Sequence, residues 1–80
     1  GNTSWQIEPR EEMQIDLDTV GKKIIAAGWD VKIQTRLCHI FTGAANLTLF
    51  PSGKLLVKCD DKDTAIEIGR THLLDWLSGE

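Results

Sequence analysis

The sequence predicts an α+β two-layer sandwich: an antiparallel four-stranded sheet with two helices on one face, in the order β-α-β-β-β-α. Three observations predict it. Two stretches repeat apolar residues at steps of three and four, several others alternate them at the strand step of two, and a tight turn joins two of the alternating runs.

The chain opens on a short polar run, residues 1–4, read as a flexible tail left from a cut or tagged protein. The single α+β domain is expected over 5–78, as a fragment of a larger protein. Trp5-Gln6-Ile7-Glu8-Pro9 alternates large apolar and polar side chains and stops at proline, the pattern of an edge strand. Arg10 to Gln14 is a polar connector. Leu17, Val20, Ile24 and Ala27 then share one helical stripe, with Asp16 as N-cap, Asp18 near the positive end of the helix dipole and Gly28 as the stop. Gly21 inside this helix marks close packing on the sheet.

Trp29 to Ile40 reads as the longest strand. Trp29, Val31, Ile33, Thr35 and Leu37 fall on one side, and Asp30, Lys32, Gln34, Arg36 and Cys38 on the other. Phe41 to Ala45 is read as a loose turn. The hairpin Asn46 to Lys58 follows, with Pro51 supplying the fixed φ and Gly53 the position that favours positive φ. Its register places Leu47, Leu49, Leu55, Val57 and Cys59 on one face and Thr48, Phe50, Lys54, Leu56 and Lys58 on the other. The second helix is expected from Asp63 to Leu77, capped by Asp60 or Asp61, with Ala65, Ile66, Gly69, Leu73, Trp76 and Leu77 on its apolar side.

Eighty residues allow one core, burying roughly 60–65% of the surface the unfolded chain exposes. No apolar run approaches the ~18 residues of a membrane span, so no membrane role is expected. Two cysteines, Cys38 and Cys59, point to a reducing cytoplasm rather than a disulfide scaffold. A net charge of -3 argues against generic, phosphate-driven nucleic-acid binding.

No catalytic constellation is read, and the chain is expected not to be an enzyme on its own. Cys38, Cys59, His39 and His72 lack the paired spacings of a zinc site, and the two cysteines face opposite sides of the expected sheet, so no metal and no cofactor is expected. Adjacent Cys38 and His39 point apart on a strand, which excludes them as nucleophile and base. The run Asp60-Asp61-Lys62-Asp63 is a capped helix start and lacks the spacing of a calcium loop. Trp5, Trp29 and Trp76 are assigned to packing. What remains is the sheet face away from the helices. On the expected register it carries Lys32, Gln34, Arg36, Thr48, Phe50, Lys54, Leu56 and Lys58, four of the nine basic residues among them.

The segments Trp5 to Pro9, Ile15 to Val20, the hairpin Leu47 to Lys58 with its Phe-Pro-Ser-Gly-Lys turn, and Asp61 to Ala65 together resemble the small C-terminal module of E1-like ThiF/MoeB/HesA-type adenylyltransferases. Cys59 departs from that pattern, which usually has a glycine there. The resemblance implies an accessory domain of an ATP-dependent enzyme that adenylates ubiquitin-like sulfur carriers. The nucleotide site, catalytic cysteine and zinc motifs of those enzymes lie in their larger domain, and none occurs in this sequence. The element order and hairpin are also similar to a single repeat of the TATA-binding protein, whose exposed sheet face meets the DNA minor groove. That likeness would put Thr48, Phe50, Leu56 and Lys58 at contact positions. The expectation is a non-catalytic docking module that presents a basic, partly apolar sheet face to another protein or another domain of its own chain. Nucleic-acid binding through the same face and a structural or homodimerising role are the alternatives.

Overall fold

The structure, a computed structural model, describes residues 3–77. It consists of β1 (Thr3–Ile7), α1 (Leu17–Ala26), β2 (Asp30–Gln34), β3 (His39–Thr42), β4 (Asn46–Leu49), β5 (Leu55–Cys59) and α2 (Lys62–Thr71), which runs into a single π-helical turn at His72–Trp76. The class is α+β, as expected, but the sheet has five antiparallel strands in the order β1-β5-β4-β3-β2 rather than four.

The fifth strand arises because the long run from Trp29 to Ile40 folds back on itself. At its middle the Thr35 hydroxyl accepts from the Leu37 and Cys38 amides at 3.2 and 3.1 Å, while the Thr35 amide and hydroxyl both donate to the Cys38 carbonyl at 2.9 and 3.0 Å. A side chain thus replaces the glycine or proline that ordinarily announces a turn. Phe41 and Thr42, expected in a loop, therefore belong to β3, and β1 starts at Thr3 and pairs Thr3 and Ser4 with Cys59 and Lys58 instead of leaving them in a tail. Gly1, Asn2 and the expected domain end at Ser78 lie outside the described residues.

Each helix begins where its cap predicts. The Asp16 carboxylate accepts from the Asp18 amide at 3.0 Å and from the Thr19 hydroxyl, and Asp61 accepts from the Thr64 amide and hydroxyl at 3.2 and 2.7 Å. Both helices cover the same side of the sheet. A Cβ on Gly21 of α1 would lie 3.1 Å from His39 Nδ1 and 3.5 Å from Phe41, and one on Gly69 of α2 would lie 2.8 Å from Ile7. His39, Phe41 and Ile7 share one face through the ladder.

The core is the layer between. Phe41, Leu47, Leu49, Leu55, Val57, Val20 and Ile24 are fully buried, each side chain contributing about 1.5–3 kcal/mol of transfer free energy. The connector after β1 is strapped to the β4–β5 turn, where Met13 and Ile15 donate to the carbonyls of Ser52 and Pro51 at 3.0 and 2.8 Å. Ile15 is buried as a result.

The apolar side of the second helix departs from expectation. Ala65, Gly69, Trp76 and Leu77 are buried, but Ile66 and Leu73 are exposed, and Ile68 and His72 take their places. Ala65, Ile68, Gly69, His72 and Trp76 keep the helical steps of three and four, which leaves Ile66 and Leu73 beside the stripe, and at the end a π turn, in which the Leu77 amide reaches back to the His72 carbonyl at 2.9 Å, brings Leu77 round to the same side. The Trp76 carbonyl accepts from Lys23 Nζ at 3.2 Å, tying this turn to α1.

Candidate functional site

The sheet face opposite the helices is built from two cross-strand rows. Gln6, Leu56, Thr48, Ile40 and Ile33 are successive partners across all five strands, and Ser4, Lys58, Asn46, Thr42 and Asp30 form the row beside them. Alternation dictates this, because the neighbours of each of these residues on β1, β3, β4 and β5 point into the core. Leu56, Thr48 and Ile40 are half-buried by one another, while Ile33 is 43% exposed. The first row is thus an apolar strip with a polar end at Gln6, and Lys58 is the cation beside it.

Five of the eight residues assigned to this face from sequence lie on it or at its margin. Thr48, Leu56 and Lys58 occupy the rows. Phe50 and Lys54 follow at the hairpin end, paired through the Phe50 amide and the Lys54 carbonyl at 2.9 Å. Phe50 is half-buried outside the core, and Lys54 Nζ lies 4.8 Å over its ring, so the cation and the aromatic meet one another.

The remaining three are governed by a β-bulge in β2. Val31 pairs with Phe41 but Ile33 pairs with Ile40, which leaves Lys32 as an extra exposed residue with no partner on β3. Beyond it the alternation is reversed. Gln34 pairs with His39 on the helix side, so Gln34 and Arg36 are not on the uncovered face. They line a cleft of about 540 Å³ at the start of α1, together with Asp16, Asp18, His39 and Pro51. The same reversal carries Ile33 outward, although sequence alternation had grouped it with Val31. Ile33 and Ile40 are the face residues that sequence reasoning missed. Ile40 was read as the end of one long strand, and the signal that could have placed it was the Thr35 turn.

Two buried histidines lie on the other side of the sheet. His39 Nε2 is 3.8 Å from an Asp18 carboxylate oxygen, whereas its Nδ1 has no partner. His72 Nε2 is 2.7 Å from the Gly53 carbonyl, and its Nδ1 is likewise without a partner. Burial pushes the His72 pKa below its ordinary value, against a smaller opposing effect of that hydrogen bond.

Cys38 sits in the β2–β3 turn, and Cys59 is buried with its thiol donating to the Asp61 carbonyl at 3.2 Å; both are free. Among the described residues no three His, Cys, Asp or Glu side chains cluster as a metal site would require, and no helix is long and apolar enough to cross a membrane. The chemistry open to the uncovered face is desolvation of an apolar strip beside a lysine. No protein-family profile matches this chain, and neither a curated protein nor a solved structure resembles it significantly.

Proposed function

We propose that this chain is a non-catalytic docking module that uses the uncovered sheet face to hold a protein segment carrying acidic and large apolar side chains. The observation that supports the reading is the strip Ile33–Ile40–Thr48–Leu56, left without a helix over it and bordered by Lys58, with Lys32 next to Ile33 and Lys54 at the hairpin end over Phe50. The apolar strip supplies desolvated contact, and the lysines steer and select the partner. A second nucleic-acid-like charge pattern is disfavoured, since only three lysines gather there on a chain of net charge -3. The sequence resemblance of the hairpin and capped helix to the adenylyltransferase C-terminal module, and of the element order to a TATA-binding-protein repeat, supports reading the domain as an accessory part of a cytoplasmic adenylyltransferase or sulfur-transfer protein.

Panning a displayed peptide library against the isolated domain, then following amide shifts as a recovered peptide is titrated, tests the proposal. Peptides rich in Asp, Glu, Leu and Phe that shift Ile33, Ile40, Thr48 and Leu56 are expected. Leu56→Asp and Lys58→Glu should each abolish binding with an unchanged circular dichroism spectrum. Peptides mapping only to the α1 cleft would overturn the proposal, as would these signals answering to duplex DNA or RNA and to no peptide.

A further inference from the structure

The apolar strip of the uncovered face runs across the strands and not along them. On the β5 line the outward residues are Lys54, Leu56 and Lys58, so that Leu56 has a lysine two residues away on either side. On β4 they are Asn46 and Thr48, both polar. Only the crosswise succession of partners, Ile33 to Ile40 to Thr48 to Leu56, brings the aliphatic groups into one line. With about 4.8 Å between strands, that line covers roughly 14 Å.

A sheet face also limits the conformation of whatever covers it. Strands β3, β4 and β5 each have a neighbour on both sides, so their backbone groups are taken up in the ladder and the face offers side chains alone. An extended segment laid over Ile40 and Leu56 would bury its own N–H and C=O groups there without partners, which is costly. An α-helix pairs these groups internally and can present an apolar stripe. Its pitch of about 5.4 Å is close to the strand spacing, so that each turn can set one anchor near each strand.

We propose that the occupant of this face is an amphipathic α-helix of about three turns, lying across β2 to β5 with large apolar residues at i, i+4, i+7 and i+11. Acidic residues line both of its flanks where it passes over Leu56, between Lys58 on one side and Lys54 on the other. A helix laid along β5 instead would set its apolar stripe on those two lysines. The inference rests on the docking role of the uncovered face and adds the conformation and the direction of what docks there.

A synthetic peptide of about 14 residues, with leucine at those four positions and glutamate beside them, is the probe. It is titrated into the 80-residue chain and followed by amide shifts and circular dichroism. Binding is expected to raise the helicity of the peptide and to shift Ile33, Ile40, Thr48 and Leu56 together. A central proline should weaken it by about tenfold or more, and a side-chain lactam that holds the helix should strengthen it. Exchanging the glutamates for lysines should abolish binding, and Lys58→Glu in the chain should recover part of it. A proline peptide that binds as tightly as its parent would overturn the helix and leave the docking role standing, as would shifts confined to one strand. The helix also falls alone if the designed peptide leaves the face unperturbed while a peptide recovered by panning shifts it. If no peptide shifts the face, both fall.

Discussion

His72 Nε2 and the Gly53 carbonyl oxygen lie 2.7 Å apart in the interior, fastening the β4–β5 turn to the π turn that ends the second helix. A carbonyl only accepts, so Nε2 carries the proton, and the neutral ring leaves Nδ1 bare and without a partner. Protonation would place a second N–H in a buried site that offers it no acceptor. The folded-state pKa is lowered by burial from the ordinary 6.5. The stability tied to neutral His72 is therefore full above pH 6.5 and is lost progressively as pH falls from there towards the depressed folded value.

Urea unfolding at about pH 7.5 and about pH 5.5 should show this loss, and His72→Leu should reduce it. The same variant should cost about 1–3 kcal/mol at the higher pH, because it strands the buried Gly53 carbonyl. An unchanged pH dependence in the variant would remove His72 as its source.

Gly53 holds φ at +94°, and a Cβ there would also lie 3.1 Å from Pro9 Cγ. Gly28, at φ +105°, has open space around the same point. Gly28→Ala should thus cost only the left-handed backbone strain, about 1–2 kcal/mol, and Gly53→Ala clearly more. Equal midpoints for the two variants in denaturant would contradict the packing of Pro9 over the turn.

The Thr35 hydroxyl is the acceptor for two amides of the β2–β3 turn. Thr35→Ala should speed hydrogen exchange at Leu37 and Cys38 while leaving the β4 and β5 amides protected. Thr35→Ser, which keeps the oxygen, should retain most of the protection.

Asp16 and Asp61 both have pKa values below the ordinary 3.8, in each case chiefly because a threonine hydroxyl, Thr19 or Thr64, hydrogen-bonds the carboxylate. Stability from the two caps is present above that ordinary value and is lost as pH falls below it. Asp16→Asn and Asp61→Asn, which keep a capping oxygen, should flatten the acid limb of the melting-temperature profile. Alanine at either site should lower the melting temperature at neutral pH as well.

The parts of this fold that were legible in sequence are those written in local chemistry. Asp16 and Asp61 announce helix starts through their own hydrogen bonds, and Pro51 with Gly53 announces the hairpin. The β2–β3 turn was opaque because Thr35 makes it with a side chain, between residues whose alternation suits one long strand. The buried stripe of the second helix was misjudged at Ile66 and Leu73 because their apolar character outweighed phase: His72 holds the helical step from Ala65 and Gly69 and is the residue buried. On the uncovered face Thr48, Leu56 and Lys58 were placed correctly because the hairpin pins their register. Gln34, Arg36 and Ile33 were misplaced because nothing local to Lys32 marks a bulge.

That one inserted residue at Lys32 acts as a parity bit for the hairpin beyond it. The bulge absorbs it: without Lys32 the ladder would run unbroken, with Ile33 still opposite Ile40 and Gln34 still opposite His39, whereas closing the bulge with Lys32 kept in the ladder would turn Ile33 towards the helices and Gln34 outward. The face that the sheet shows to water thus depends on where along the strand the extra residue is taken up, and not on residue type alone.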